Sequence, residues 1–171
     1  MVFLIDKTWD GHPIGPGEAA RAEITADRDR VVVSVESPFH ADPPPASPPG
    51  PTDRLWEHEV VEVFLLGRDD AYLEVELGPH GHHLVLELRG VRNVVRRGLP
   101  LDYRSRIEGS RWSGVATFPR AWLPAGLDRG NAYASHGAGR SRRHLAAFPV
   151  PGDAPDFHRL AAFGAFRFEH L

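Results

Sequence analysis

The chain has no cysteine, so neither a disulfide framework nor a thiolate metal site is open to it, and a reducing, cytoplasmic setting is expected. Lysine occurs once against nineteen arginines and the net charge is only -3, which leaves no overall basic field and no acidic tail. The single basic cluster, Arg140, Arg142 and Arg143, has no interleaved aromatics, so nucleic acid is not an expected partner. Long apolar runs are missing as well. Val2 to Ile5 is cut off by Asp6, which argues against a signal peptide, and nothing approaches the roughly 20 residues of a membrane span, so no membrane partner is expected. The serines lie in no Gly-x-Ser-x-Gly elbow, and there is neither a phosphate loop nor a His-Glu-x-x-His helix.

What the chain does have is sixteen prolines and seventeen glycines spread between short apolar runs, a composition that favours turns and short strands over long helices. At 171 residues it suits one domain, residues 1–171, burying roughly 70% of the surface its unfolded chain exposes. Val2 to Asp6 reads as a first strand. Arg21 to Thr25 with Val31 to Glu36, and Leu101 to Ile107 with Arg111 to Phe118, read as hairpins, and Asn131 to His136 as a further strand. Pro119 to Pro124 and Phe157 to Phe163 read as single helical turns, the second ended by Gly164 before a last strand, Phe166 to Glu169. From Pro38 to Pro51 seven of fourteen residues are proline, so this stretch is an extended surface loop that does not pair in a sheet. Nine to eleven strands in all predict an all-β, two-sheet antiparallel β-sandwich with one or two short helical turns.

The chain is organised around Leu55 to Leu88. Alternation at a period of two points Leu73, Val75 and Leu77 one way and Tyr72, Glu74 and Glu76 the other. A four-residue turn, Pro79 to His82, would set Leu77 opposite Leu84, Val75 opposite Leu86 and Leu73 opposite Leu88, giving one aliphatic face. It would also set Glu74 across from Glu87, a like-charge pair that costs stability unless a cation, an arginine or a ligand lies between them. For the preceding strand, a three-residue loop after Gly67 puts Val61, Val63 and Leu65 on the aliphatic side and Glu62 beside Glu76. A four-residue loop would drive Glu62 into the core, so the shorter one is preferred.

Several segments resemble, in order and nearly end to end, an uncharacterised protein family with bacterial and vertebrate members. They are Thr8-Trp9-Asp10-Gly11, the run from Leu55 to Phe64, the run from Tyr72 to Leu86, Gly90-x-Arg92-Asn93-Val94, Ala134-x-His136-Gly137, and Phe148-Pro149-Val150-Pro151 followed by Pro155-Asp156-Phe157-His158. A tryptophan six residues before a strand glutamate, with a terminal Asp-Phe-His-x-x-x-x-Phe-Gly, more distantly resembles DOMON-like sandwiches and family-nine carbohydrate-binding modules. That resemblance implies a carbohydrate-binding-module-like sandwich of jelly-roll type. It also implies a sugar held between two tryptophans, with Trp56 as the first platform and Glu62 accepting a hydroxyl. There is no tryptophan after Trp122, and the loop in the place of the second platform offers Phe148, with His144 nearby. DOMON relatives also bind haem through Met and His or Lys, and Met1 is the only methionine here.

Each candidate has two readings. Trp56 is either a stacking platform or a core plug beneath the proline-rich loop. Glu62, Glu74, Glu76 and Glu87 either accept ligand hydroxyls or ligate calcium, or form a solvated face neutralised by Arg92, Arg104 or Arg106. His80, His82 and His83 sit at a turn where they need not converge on a metal, so no metal ligand set is assigned, and His136 and His158 suit loop-fixing hydrogen bonds. The expected function is a non-catalytic binding domain for a saccharide or similar polar small molecule, using Trp56, Glu62, Glu74, Glu76, His83, His136 and Phe148. The alternatives are a hydrolase on the same carboxylate and histidine face, metal-assisted or not, and a protein-interaction domain.

Overall fold

Aliphatic and β-branched residues at alternating positions form fourteen strands among the described residues, 1–166 of the computed structural model. In chain order these are β1 (Val2–Ile5), β2 (Lys7–Thr8), β3 (Ala20–Ala26), β4 (Arg30–Pro38), β5 (Gly50–Pro51), β6 (Val60–Leu66) and β7 (Ala71–Leu77). Then follow β8 (His82–Arg89), β9 (Val94–Arg97), β10 (Asp102–Glu108), β11 (Arg111–Pro119), β12 (Arg129–His136), β13 (Arg143–Ala146) and β14 (Gly164–Ala165). The smaller sheet runs β1-β3-β4-β11-β10. The larger runs β2-β13-β12-β6-β7-β8-β5, with β14 added to β12 and β9 to β8. The fold is thus the expected all-β sandwich of two antiparallel sheets. Helical structure among the described residues is confined to 3₁₀ turns, including the expected ones at Arg120–Trp122 and Leu160–Ala162, and no helix is long and apolar enough to cross a membrane.

The strand count exceeds the nine to eleven expected because β2, β5, β13 and β14 are too short for alternation to show. β5 lies inside the proline-rich stretch, which was expected not to pair. It adds to β8 in parallel at the sheet edge, where Gly50 N–H donates to the Gly81 carbonyl and Thr52 N–H to that of His83, so Pro51 is asked for no hydrogen bond. Of the expected last strand, residues 167–169 lie outside the described residues.

Between the sheets, Ile24, Val31, Val33, Val35, Trp112 and Phe118 meet Val61, Val63, Leu65, Leu73, Val75, Leu77 and Val85. Burying each such side chain contributes about 1.5–3 kcal/mol. A second apolar layer covers the outer face of the larger sheet. Phe64, Leu66, Tyr72, Leu84, Leu86, Leu88 and Tyr133 lie under Leu55, Val150, Leu160 and Phe163, so the segment 150–163 folds back over that face. The part of the face left uncovered is where the candidate site lies.

The two hairpins feeding this face had different outcomes. β6 and β7 pair through the three-residue loop 68–70, with Val63 opposite Val75 and Glu62 opposite Glu76, as the sequence predicts. The turn between β7 and β8 holds three residues, 79–81, rather than four. Gly78 N–H donates to the His82 carbonyl, and Gly81 takes the left-handed conformation, φ +84°, that closes such a loop. Leu77 therefore faces His83 and Glu74 faces Leu86. One residue of slip moves every β8 side chain to the other face. Leu84, Leu86 and Leu88 join the outer layer while Leu73, Val75 and Leu77 stay between the sheets, so all six are buried but not as one face. The expected Glu74–Glu87 clash does not exist. Glu87 lies on the other face, paired with Arg96.

Candidate functional site

Three carboxyl groups form the floor. Alternation along β7 puts Glu74 and Glu76 on the same face, and the β6–β7 register brings Glu62 directly opposite Glu76. One oxygen from each lies within 4.8 Å of the others. They are almost sealed from solvent: Glu62 is 2% exposed, Glu74 3% and Glu76 0%. Oε1 of Glu62, Oε2 of Glu74 and both oxygens of Glu76 make no hydrogen bond, although the Trp56 backbone and the Glu74 carboxyl lie close enough to act on the Glu76 charge. Buried polar groups without partners are rare, because each costs about 1–3 kcal/mol.

This environment sets the proton affinities. Burial pushes the Glu74 carboxyl up to about 7, against its contact with the Glu76 carboxyl and the pull of Arg92 and Arg97. Burial raises Glu62 well above the usual carboxylate range, the Glu74 charge adds to this, and Arg142 opposes it. For Glu76, burial again comes first, followed by the charges of Glu62 and Glu74. Because each charge raises its neighbours' affinity for a proton, the three groups titrate as a unit.

Above the floor is a cleft of about 340 Å³, in the size range of small-molecule pockets. Its lining includes Glu62, Glu74, Trp56, His144, Phe157 and His158. Trp56 sits on the 3₁₀ turn Leu55–Glu57 and is 37% exposed, while its neighbour Leu55 is wholly buried. The core plug under the loop is therefore Leu55, and the indole forms the rim. Arg142 clamps this turn, donating from Nη2 to the carbonyls of Trp56 (2.6 Å) and His58 (2.9 Å) and from Nη1 to that of Gly137 (2.8 Å). The opposite wall is built from the far end of the chain. The Phe157 ring stacks on Tyr133 at 3.9 Å, and Asp156 braces the loop through Arg92 (2.7 Å), Arg159 (3.1 Å) and the His158 N–H (3.2 Å). The Tyr72 hydroxyl accepts from Arg92 N–H and is hydrogen-bonded to Nδ1 of His158 at 2.7 Å. Burial depresses His158 to about 4, helped by Arg92, and depresses His144 to about 4, helped by Arg142, so both imidazoles are neutral.

Of the residues expected at a site, the cleft gathers Trp56, Glu62 and Glu74, with Glu76 completing the floor. Three others are elsewhere. The β8 register turns His83 toward the smaller sheet, where its ring meets Tyr103 edge-on at 5.8 Å. His136 takes the Ala134 side of β12 and stacks on His40 with centroids 3.4 Å apart. Phe148 packs edge-on to Phe3 and lies over Gly164, where any Cβ would fall 2.2 Å from its ring. Phe157, not Phe148, lines the cleft. The basic cluster is also dispersed: Arg142 is the clamp and Arg143 pairs with Glu18. At the turn, His82 reaches the Ser47 carbonyl at 2.9 Å and His80 packs against Phe39, apart from one another.

Aligned over 180 positions, the whole chain is 41% identical to the UPF0462 protein C4orf33 homolog of Danio rerio, covering 91% of that protein. It is equally identical to the human UPF0462 protein C4orf33, covering 90% of it. The chain belongs to the UPF0462 family. No family model matches it. Among solved structures, this UPF0462 sandwich is similar to a candidate carbohydrate-binding protein from Bacteroides uniformis, with a TM-score of 0.74 and 20% identity over 96% of this chain and 84% of that one. It is also similar to a family-nine carbohydrate-binding module from Caldicellulosiruptor kristjanssonii in complex with glucose, with a TM-score of 0.56 and 14% identity over 89% of this chain and 79% of that one. At these identities the likeness is one of fold. Within the UPF0462 chain, the site residues that sequence reasoning passed over, Arg142 and Phe157, carried a partial signal. Phe157 lies in the Asp156-Phe157-His158 motif, whereas nothing in the spacing marks Arg142 as a clamp.

Proposed function

We propose that this chain is a non-catalytic binding domain for a saccharide or a similar polar small molecule, taken into the cleft between Trp56 and Phe157. The observation that carries this reading is the pairing of an exposed indole rim with unpartnered, buried carboxyl oxygens directly below it. An aromatic face suits the less polar side of a sugar ring, and the floor supplies acceptors for hydroxyls. The imidazole of His158 adds a hydrogen-bonding ring nitrogen. The fold relationship to modules solved with glucose and with cellotriose supports the class of ligand, and the absence of cysteine supports a cytoplasmic setting.

Calorimetric titration of the full chain with a saccharide panel that includes glucose and cello-oligosaccharides tests the reading. Saturable binding that is lost in Phe157→Ala supports it. Failure of every saccharide and polyol in the panel to bind overturns it.

One observation favours a second reading, a hydrolase. The three carboxyl groups are buried, close together and raised in pKa, which suits general acid chemistry. Release of chromophore from aryl glycosides, abolished by Glu62→Gln, would decide for it.

A further inference from the structure

We propose that Glu62, Glu74 and Glu76 together hold one hard divalent cation, calcium or a close equivalent, at the floor of the cleft. The proposal concerns the triad alone and does not depend on which organic ligand occupies the space above it.

Geometry is the first support. Calcium binds oxygens at about 2.3–2.6 Å, so ligand atoms across one ion lie no more than roughly 5 Å apart. One oxygen from each glutamate already meets that condition within 4.8 Å. The second support is the unsatisfied state of these oxygens. Glu59, a buried glutamate outside the cluster, accepts the N–H groups of His40 at 3.0 Å and Asp42 at 3.3 Å. In the triad only the Trp56 backbone comes near as a donor, beside the contact of the Glu74 and Glu76 carboxyls with each other, and four of the six oxygens make no well-formed hydrogen bond. A carboxylate buried for structural reasons acquires partners, and one built for a ligand keeps its lone pairs free.

Charge favours a cation. Arg92 and Arg159 share Asp156, Arg97 pairs with Asp53, and Arg142 gives its hydrogen bonds to carbonyls, so none of these guanidinium groups is hydrogen-bonded to the triad. Ligation needs deprotonated carboxylates, so a cation bound among the three displaces the protons they hold, and a divalent ion offsets more of the charge so uncovered than a monovalent one. Donor chemistry selects the kind of metal. All three ligands are oxygens, there is no cysteine, and no imidazole belongs to the cluster, so a hard cation is preferred over zinc. Glu62 and Glu74 line the cleft, which gives the ion an entry path and room for waters or ligand hydroxyls to complete its shell.

The test uses the full chain, stripped with EDTA and free of saccharide, titrated with calcium, manganese or magnesium chloride against sodium chloride at matched ionic strength. Melting temperature and calorimetry are the readouts. The expected result is one equivalent bound, with a melting temperature that climbs with the logarithm of the metal concentration. Glu62→Gln and Glu76→Gln should each weaken the affinity at least tenfold, while Glu87→Gln, on the other face of the sheet, leaves it unchanged. The proposal is overturned if no divalent ion raises melting above the sodium control at millimolar concentration, or if Glu62→Gln and Glu76→Gln bind as well as the parent. Because the samples contain no saccharide, either result leaves the saccharide reading standing or falling on its own titration.

Discussion

Adjacent residues on one short turn separate stability from function. Leu55 is fully buried beneath the proline-rich loop, and Trp56 stands at the cleft rim. Leu55→Ala should cost about 2–5 kcal/mol of stability by opening a cavity. Trp56→Ala should cost under about 1 kcal/mol of stability, yet weaken ligand binding by roughly 1–3 kcal/mol. Urea unfolding beside ligand titration checks both, and a Trp56→Ala protein as unstable as Leu55→Ala would return the indole to the core. The carboxyl floor makes the reverse point. Glu76 is wholly buried, its oxygens make no well-formed hydrogen bond, and it faces Glu62 across the strands, so the folded state bears its desolvation with little return. Glu76→Leu in EDTA-treated protein should therefore raise stability by about 1–4 kcal/mol, as when buried charges are replaced by packed apolar groups. A drop in melting temperature would mean that the carboxyl is a structural partner after all.

The β7–β8 hairpin decides which side chains reach the cleft, and its turn decides the hairpin. Gly81 is held at φ +84°, and a Cβ there would sit 3.2 Å from the Pro49 Cβ. Gly81→Ala should destabilise by about 1–2 kcal/mol from the left-handed conformation alone, measurable by thermal or urea unfolding. An unchanged stability would show that the turn relaxes to another form. This hairpin also shows why the site was only partly legible in the sequence. β6 against β7 could be read correctly because the other register buries Glu62 in the aliphatic core, a large penalty that alternation makes visible. β8 is apolar on both sides, Val85 between the sheets and Leu84 and Leu86 in the outer layer, so alternation does not say which set faces inward. The polar residues His83 and Glu87 made their side look like the exposed one. Trp56, Glu62, Glu74 and Glu76 were legible because their strands flank one another. Phe157 and His158 reach the cleft from some 70 to 100 residues farther along the chain, and a loop path cannot be read from periodicity.

For the molecule as a whole, burial of neutral imidazoles at several places should make stability depend on acidity. His144 faces Arg142, His158 faces Arg92 and Asp156, and His136 faces His40, Asp42, Arg143 and Glu18. Burial is the leading cause in each case, and all three are depressed from 6.5 to about 4. A base with a depressed folded-state pKa binds fewer protons folded than unfolded, so its contribution is complete above about pH 6.5 and is lost as the pH falls toward 4. The carboxyl floor works in the opposite sense, since its raised values favour the folded state below about 4.5 and lose that contribution as the pH rises. The net profile is a difference between these two groups, and comparing variants separates them. Each imidazole is partly open to solvent, so the three together should supply about 1 kcal/mol per pH unit, well below the unscreened limit. Urea unfolding at pH 7 and pH 5 should show a smaller loss on acidification for His144→Gln and for His158→Gln than for the parent chain, because each variant has one fewer buried base to protonate. Variants that lose as much as the parent would show that these imidazoles already carry their proton in the folded protein, and the neutral state of His158 in the cleft would fall with that result.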